Sequence, residues 1–405
     1  MGYRYIDLFA GCGGLTDGFE QTGLYSPQAF VEWDKNAVNT LKNRLETKWS
    51  IDNVDEKVIH FDIQRMDELL NGYDTEEFGR HKGLKKLINE TNIDLIIGGP
   101  PCQAYSMAGR VQDKNGMRCD YRNYLFENYL KVVKEFKPKL FVFENVQGIL
   151  SAKPDGINII DRIRDDFEKE GYVIARDLRN KALLDASEYG IPQVRKRVII
   201  IGINKNFTDE SPEAILDDFY KNILPSFKVK NKVTVKEAIY DLEPLYPLDE
   251  ITNHQKKVSH YNKSSISNHN PRFHSQRDIG IFEELAEDVA NGSIKYPDTE
   301  SLRELYYKRT GKKSSFHKYH VLAYDKQSNT IPAHLYKDGL RHIHPDPKQA
   351  RSITPREAGR LQTFDDDFEF LGSNGASYKM IGNAVPPLLA NHVGKAVDIL
   401  LKRYF

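Results

Sequence analysis

The sequence predicts an α/β fold built on an open sheet that carries helices on both faces. Short apolar runs typical of buried strands end in turns or polar residues, and helix-like segments follow them. The first run, Tyr3 to Phe9, leads into a glycine-rich turn at residues 10–14 and then into a helix through Phe19. Such a turn lets a ligand approach the backbone at the start of a helix, so we expect a nucleotide-type crevice there.

The composition is that of an ordinary globular protein of 405 residues, with 58 Lys+Arg against 58 Asp+Glu. Because these charges balance, any polyanionic partner must be bound by local segregation of charge. Cys12, Cys102 and Cys119 are not spaced as metal pairs, and we expect no metal site. The longest apolar run, residues 198–203, is too short to span a bilayer, and no secretory signal precedes Tyr3. These features favour a cytoplasmic protein without membrane contact.

Acidic residues end the next two predicted strands. Residues 28–31 lead into Glu32, about 20 residues beyond the glycines, where an acid can hold ribose hydroxyls, and the adjacent Trp33 can stack on an adenine. The strand at residues 57–61 ends in Asp62, a candidate acceptor for an adenine amino group. Either acid alone would more often be an ordinary solvated side chain. Three such strand ends in succession favour a nucleotide-type site, and the missing G-x-x-x-x-G-K-[ST] motif argues against an NTPase.

The apolar run at residues 93–97 is followed by two glycines, Pro100, Pro101 and Cys102. Proline fixes φ and lacks an N–H group, so the two prolines end the strand and stiffen the chain beyond it. Cys102 therefore follows the carboxyl end of a buried strand, where open α/β sheets place their chemistry. A lone cysteine is more often a small buried apolar residue than a nucleophile, so its role depends on the motifs around it.

The remaining segments of the first half are less regular. Residues 66–92 are polar and helix-like, and we interpret them as an insertion before the cysteine-bearing strand. A long loop at residues 106–120 contains glycine, arginine and lysine, a helix covers 123–136, and a strand at 140–146 ends in Glu-Asn-Val. In the segment Gln-Val-Arg-Lys-Arg at 193–197, alternate side chains can project from one strand face. By itself, an arginine-rich strand start is normally a solvated edge.

Six segments together resemble the DNA (cytosine-5) methyltransferases, in the order in which that family carries its motifs. The segments are Asp7-Leu-Phe-Ala-Gly-Cys-Gly-Gly14, Gly98 to Ser106, Phe143-Glu-Asn-Val146, Gln193-x-Arg-x-Arg197, Arg351 to Gln362, and Gly382-Asn-Ala-Val-Pro-Pro387. The resemblance implies a Rossmann-like, S-adenosylmethionine-dependent methyltransferase fold with a mixed sheet, plus a smaller target-recognition domain. Gly359 and Asp365 depart from the family's usual Ala and Pro, and both should affect stability more than chemistry.

The resemblance also implies a reaction. The thiolate of Cys102 would add to C6 of cytosine, which makes C5 nucleophilic toward the methyl group of the cofactor. Glu144 would hold or protonate N3, and Arg197 would contact O2 with Arg195 as electrostatic support. Asn145 would position its neighbours.

S-adenosylmethionine is the cofactor that the resemblance implies. The residues that match its contacts in the family are Phe9, Gly11, Gly13, Glu32, Trp33, Asp62, Pro100, Leu125 and Asn383. The substrate would be double-stranded DNA with the target base flipped out, and the loop at residues 106–120 would close over that base. The candidate DNA contacts are Ser106, Arg110, Lys114, Arg118, Arg272, Arg277, Lys312 and Lys313, although solvated residues would show the same pattern.

By the same resemblance, a discontinuous catalytic domain spans residues 1–205 and 375–405, a connector spans 206–250, and a target-recognition domain spans 251–374. The recognition segment holds most of the twelve histidines, with basic and aromatic residues between them, and this composition is typical of a DNA-reading surface. Zinc is not expected there because the segment has no cysteine. Within it, Thr354, Pro355 and Glu357 predict a capping-box start to a helix.

The leading interpretation is a monomeric bacterial modification enzyme that is functionally paired with a restriction endonuclease. A second interpretation is the tRNA-acting branch of the same fold, but that branch carries Cys-Phe-Thr in its recognition region and no cysteine follows Cys119 here. A third is a catalytically silent DNA-binding relative, yet such proteins typically lose the nucleophile or the glutamate, and Cys102, Glu144 and Arg197 are all present. A dehydrogenase would explain the crevice but not the motifs.

Overall fold

The computed structural model of the chain describes residues 2–89, 91–101, 125–153, 156–250, 258–313 and 319–405. The chain forms two compact units. Unit 1 comprises Met1–Tyr189, Lys196–Lys230 and Ala384–Phe405, and unit 2 comprises Gly190–Arg195 and Asn231–Asn383. The α/β prediction is confirmed, because strands of a mostly parallel sheet alternate with helices along unit 1.

A large sheet organises unit 1. The strands in the described residues are β1 (Tyr3–Leu8), β2 (Tyr25–Glu32), β3 (Val58–His60), β4 (Tyr73–Thr75), β5 (Gly79–His81), β6 (Leu95–Gly98), β7 (Leu140–Val146), β8 (Tyr172–Ile174), β9 (Leu183–Asp185) and β10 (Lys196–Asn204). The sheet order is β3-β2-β1-β6-β7-β10-β8, with β9 also paired to β10, while β4 and β5 form a separate hairpin. Strands β1, β2, β3, β6 and β7 pair in parallel, and β10 pairs antiparallel with β7, β8 and β9.

The direction of chain progression reverses at β1. The chain moves outward from β1 through β2 and β3, and later adds β6 and β7 on the opposite side of β1. Such a reversal opens a crevice at the carboxyl ends of the strands. Leu8 pairs with Gly98, and Gly98 pairs with Phe143. The residues that follow these three therefore emerge side by side, and we call this region of unit 1 the carboxyl edge.

The helices of the described residues belong to both units. They are α1 (Gly14–Glu20), α2 (Lys35–Thr47), α3 (Val54–Lys57), α4 (Met66–Asn71), α5 (Leu84–Ile88), α6 (Leu125–Phe136), α7 (Ile159–Lys169), α8 (Leu178–Lys181), α9 (Pro212–Asp218), α10 (Val235–Ile239), α11 (Gln276–Asn291), α12 (Thr299–Thr310), α13 (Leu335–Asp338), α14 (Pro355–Leu361), α15 (Asn374–Asn383) and α16 (Pro387–Tyr404). Short 3₁₀ or π turns lie at Gln147–Ser151, Ala186–Tyr189, Lys205–Phe207, Phe219–Ile223 and Leu224–Phe227.

The C-terminal helix α16 completes unit 1 by packing on α1. A Cβ atom on Gly18 would lie 2.3 Å from the carbonyl oxygen of Pro387, so only glycine allows the two backbones to approach this closely. The hydroxyl of Tyr25 donates to the carbonyl of Gly394 over 2.6 Å. These contacts fix the last helix against the first strand–turn–helix unit.

The prediction that residues 66–92 are helical is wrong for the middle of that segment. Helices α4 and α5 flank the hairpin β4–β5, in which Tyr73 pairs with His81 and Thr75 with Gly79. Gly79 has φ of +73°, a conformation that favours glycine, at the point where the chain enters β5. The polar composition of the segment concealed this turn.

Unit 2 has its own core and a firmly held helix start. Its core includes Ile281, Phe282 and Leu285 from α11. The predicted capping box is confirmed, because the Thr354 hydroxyl accepts from the Glu357 N–H over 3.2 Å and the Glu357 carboxylate accepts from the Thr354 N–H over 2.7 Å.

Candidate active site

Glu144 and Arg197 form an ion pair at the carboxyl edge. In the β7–β10 register Glu144 lies opposite Ile199, and Arg197 lies two residues from Ile199 on the same face, so the two charged side chains are diagonal neighbours. The Arg197 Nε and Glu144 Oε1 atoms are 2.9 Å apart, and both side chains are almost fully buried. Burial lowers the pKa of Arg197, and the adjacent carboxylate partly offsets this. The sheet thus holds a fixed, nearly dry charge pair.

Two consecutive glycines bring the Glu144 carboxylate over the backbone that leads to Cys102. A Cβ atom on Gly99 would lie 2.6 Å from Glu144 Oε2, and one on Gly98 would lie 2.3 Å from the carbonyl oxygen of Leu8. The Asn145 amide donates to the carbonyl of the buried Pro100 over 3.1 Å. These contacts hold the stem of the Pro-Pro-Cys segment, whereas Cys102 itself lies outside the described residues.

Arg195 occupies a different environment from Arg197. It belongs to unit 2, is fully buried, and donates to the carbonyls of Ile331 and Gly382, each over 2.9 Å. The neighbouring Gln193 accepts from the Ile331 N–H over 2.9 Å and donates to the Leu361 carbonyl over 3.2 Å. The Arg195 guanidinium group thus joins backbone segments of unit 2, and its electrostatic support of Arg197 stays a prediction.

The turn after β1 has an unusual backbone. Phe9 has φ of +59°, and Gly11 and Gly13 have φ of +58° and +96°. A non-glycine residue in this region costs roughly 1–3 kcal/mol and persists where the surrounding structure enforces it, which is common at functional sites. A Cβ atom on Gly11 would meet nothing within 4 Å, so the backbone there is open to a ligand.

Glu32 ties this turn to the end of β2. Its carboxylate accepts from the Gly11 N–H over 2.8 Å and from the Asp34 N–H over 2.7 Å. Burial raises the pKa of Glu32, while the two N–H groups act in the opposite direction. The predicted acid and the predicted glycine turn are therefore brought together.

Sequence reasoning missed a buried acid beneath the same turn. Asp7, in β1, is fully buried and accepts a hydrogen bond from the Thr16 hydroxyl of α1 over 2.5 Å. Burial raises the pKa of Asp7 to about 8. In the sequence Asp7 was visible only as the first residue of the motif that ends at Gly14.

The other residues predicted to contact the cofactor differ in exposure and in the element that carries them. Trp33 exposes 53% of its surface, and Asp62 accepts from the Gln64 N–H over 3.0 Å. Leu125 is buried at the first residue of α6. Asn383 is exposed at the last residue of α15, which belongs to unit 2.

The candidate DNA-contact residues in the described part of the chain differ in how exposed they are and in which groups they already bind. Arg272 donates to the carbonyls of Leu335 and Tyr336 and lies 4.7 Å above the Tyr378 ring, so it holds unit 2 together. Arg277 pairs with the adjacent Asp278 over 2.8 Å and is exposed. The pair Lys312 and Lys313 is exposed beyond α12. The remaining candidates, Ser106, Arg110, Lys114 and Arg118, lie outside the described residues.

Part of the histidine enrichment of unit 2 lies in its interior. Five of these histidines are buried, namely His260, His269, His274, His342 and His344. Burial lowers the pKa of His260 to about 4, and that of His274, His342 and His344 to about 3. These five side chains are therefore neutral parts of the interior, and the prediction that this segment reads DNA rests on its other residues. Among the described residues, no group of three or more His, Cys, Asp or Glu side chains is arranged to hold a metal ion.

Comparison with known proteins adds an independent line of observation. A family model described as C-5 cytosine-specific DNA methylase matches residues 3–398. The type II methyltransferase M.Bpa9945I of Bacillus paralicheniformis is 33% identical, covering 97% of this chain and 98% of that protein. The type II methyltransferase M1.HphI of Haemophilus parahaemolyticus is 31% identical, covering 98% and 87%. A crystal structure attributed to a DNA modification methyltransferase encoded within an E. coli prophage has a TM-score of 0.66 and 25% identity, covering 99% and 100% of the two chains. Within the described residues, no helix has the length and apolarity needed to cross a membrane.

Proposed function

The chain belongs to the C-5 cytosine-specific DNA methylase family, and from this premise we propose that it is the modification enzyme of a type II restriction–modification pair. It methylates one cytosine within a short sequence of double-stranded DNA and so protects that DNA from a partner restriction endonuclease. The observation that carries the proposal is the Glu144–Arg197 pair, held over Gly99 at the stem of the Pro-Pro-Cys segment. A restriction–modification pair acts on cellular DNA, so we place the protein in the cytoplasm, and by the family resemblance we expect a monomer.

The residues at the ends of β1, β2 and β3 suit S-adenosylmethionine. The open backbone at Gly11, the acid Glu32, the exposed indole of Trp33 and the carboxylate of Asp62 offer the contacts that an adenosyl group needs. When bound, this cofactor supplies an electrophilic methyl group. Phe9 and Gly13 complete the turn that would face it.

Cys102 is the nucleophile in this proposal. Its thiolate adds to C6 of the flipped cytosine, C5 then attacks the methyl group, and loss of the C5 proton expels the thiolate again. Glu144 holds N3 and Arg197 holds O2 of the ring as charge shifts onto it, and both side chains are already fixed to each other in a nearly dry site. The ring displaces part of that ion pair when it enters.

Unit 2 reads the target sequence in this proposal. Lys312 and Lys313 remain candidates for phosphate or base contacts because they are exposed. Arg277 is also exposed, although Asp278 neutralises part of its charge. A chimera that exchanges residues 251–350 for those of a relative with another target should acquire the relative's specificity. Retention of the parent specificity would contradict this assignment.

The first test is methylation of mixed-sequence DNA with labelled S-adenosylmethionine, followed by sequencing for 5-methylcytosine. Methylation at one short sequence is expected. Labelling of tRNA instead, or no transfer by a folded protein, would refute the proposal.

The nucleophile is tested on target DNA that carries fluorine at C5 of the cytosine. With S-adenosylmethionine present, C5 becomes methylated but cannot then lose fluorine as it would lose a proton, so the Cys102 adduct should accumulate as a complex that survives denaturation. Cys102→Ser should form no such complex while still binding the DNA. A covalent complex with the variant would show that another residue is the nucleophile.

A further inference from the structure

We propose that the hairpin β4–β5 positions the adenosyl-binding end of the carboxyl edge, and that His60 is the residue through which it acts. The inference rests on the proposed function, since it takes Trp33 and Asp62 as contacts of the adenosyl group. The hairpin belongs to the segment 66–92, which sequence analysis identified as an insertion and to which the proposed reaction gives no role.

The hairpin is anchored at its base. The rings of Tyr73 and Phe61 are stacked with centroids 4.0 Å apart. A Cβ atom on Gly83 would lie 2.4 Å from the backbone nitrogen of Gly72, so the segments that enter and leave the hairpin are in direct backbone contact. Lys82 pairs with Glu56 over 3.0 Å. The hairpin is therefore fixed to the end of β3 rather than attached by its ends alone.

The loop of the hairpin packs against residues that precede and follow Asp62. The half-buried Phe78 lies with its ring 5.3 Å from that of His60 and 4.9 Å from that of Phe61. The Arg65 guanidinium lies 5.6 Å from the Phe78 ring and 5.2 Å from the Phe61 ring. One aromatic side chain of the insertion thus contacts the chain on both sides of Asp62.

His60 transmits this packing to Trp33. Its Nε2 atom lies 2.9 Å from the Trp33 carbonyl oxygen, and because a carbonyl only accepts, the imidazole donates. On the other side of the Trp33 peptide, the Asp34 N–H is bound by Glu32. The peptide group between Trp33 and Asp34, next to the exposed indole, is therefore held at both its carbonyl and its N–H before any ligand arrives. Ordering a binding turn in advance increases affinity because binding no longer has to restrict it.

Two replacements of His60 separate its two contacts. His60→Phe keeps a ring against Phe78 but removes the donor, whereas His60→Gln keeps a donor at similar reach but removes the ring. His392→Phe is the matched control, because the His392 Nε2 also contacts a carbonyl, that of Tyr189, over 3.2 Å in the same unit. Phe78→Ala tests the hairpin contact itself.

The measurement is the dissociation constant for S-adenosylhomocysteine by titration calorimetry, together with kcat and KM for S-adenosylmethionine. His60→Phe should raise the dissociation constant and KM by about threefold to tenfold with kcat at saturation unchanged, as expected for loss of one hydrogen bond. Phe78→Ala should raise both constants because it removes the ring that packs on His60. His60→Gln also loses this ring contact and should resemble Phe78→Ala, whereas His392→Phe should not change affinity.

Unchanged affinity in His60→Phe would overturn the inference while leaving the proposed function intact. An equal loss in His392→Phe would also overturn it, because the effect would then be a general loss of rigidity. If the wild-type protein binds neither S-adenosylmethionine nor S-adenosylhomocysteine, the proposed function fails first and the inference with it. Melting temperatures of all variants show whether each one folds.

Discussion

The replacement Gly99→Ala tests whether the position of Glu144 governs catalysis. The added Cβ atom would lie 2.6 Å from Glu144 Oε2, against an ordinary contact distance of about 3.4 Å, so the carboxylate must move by about 0.8 Å. That movement displaces the group paired with Arg197 Nε at 2.9 Å. A misplacement of about 1 Å in a catalytic group can cost on the order of 100-fold in rate. We therefore expect kcat to fall by about 10- to 100-fold.

Stability should respond much less to this replacement. The atom that must give way is the end of a flexible side chain, so we expect the melting temperature to change by less than about 4 °C. Gly98→Ala is the matched control, because its Cβ atom would lie 2.3 Å from the backbone oxygen of Leu8, which cannot move aside. That variant should lose about 1–3 kcal/mol of stability or more.

The assay is steady-state methylation of DNA containing the target sequence, combined with thermal unfolding of both variants. If Gly99→Ala keeps kcat within about twofold of wild type, the position of Glu144 does not limit the reaction. A loss of kcat that merely follows the loss of melting temperature across the two variants would also refute the reasoning, since it would reflect unfolding alone.

Three further predictions concern buried groups. Arg195→Lys removes the two hydrogen bonds to the Ile331 and Gly382 carbonyls and should lower the free energy of unfolding, measured by urea titration, by about 2–4 kcal/mol. Unchanged stability with reduced kcat would instead support an electrostatic role for Arg195. Because burial raises the pKa of Asp7 to about 8, the folded chain keeps a proton that the unfolded chain releases above about pH 4, so this group lowers stability as pH rises between those values. Asp7→Asn should therefore gain stability relative to wild type from pH 4 to pH 8, and a constant difference in unfolding free energy would contradict this. The buried histidines have lowered pKa values, so the unfolded chain takes up protons that the folded chain does not, and stability should fall as pH drops from about 6.5 toward 3. Replacing His274 with Phe should weaken this pH dependence of the unfolding free energy. An unaltered slope would argue against the burial of His274.

The positions of the strand ends could be predicted from the sequence because each apolar run is short and stops at a residue with a distinct chemical character. Glu32 and Asp62 were found in this way, and Glu144 follows the apolar residues of β7 two positions before the end of that strand. Strand pairing then brings together what the strand ends carry, as with the Gly11 N–H and the Glu32 carboxylate. Parallel order and register were not visible in the sequence, since they depend on pairing between distant segments.

Burial of polar residues could not be predicted from composition. Histidines, basic residues and aromatic residues together are typical of a nucleic-acid surface, but the same residues also build polar interiors when each finds a partner. His274 accepts from the Ser352 N–H over 3.2 Å, and His260 contacts the Gln349 carbonyl over 2.9 Å. Both partners are far away in sequence, so histidines of a polar interior could not be told from histidines of a nucleic-acid surface before the fold was known.

The two arginines of Gln193-x-Arg-x-Arg197 show where periodicity reaches its limit. A spacing of two residues places side chains on one face only while the chain remains in a single strand. β10 begins at Lys196, so Arg197 follows the sheet and meets Glu144. Before that point the chain pairs with residues around Ser328, and Arg195 donates to carbonyls 136 and 187 residues away. The boundary between the two units falls between these arginines, and for this reason one contributes to the candidate site while the other holds the backbone of unit 2.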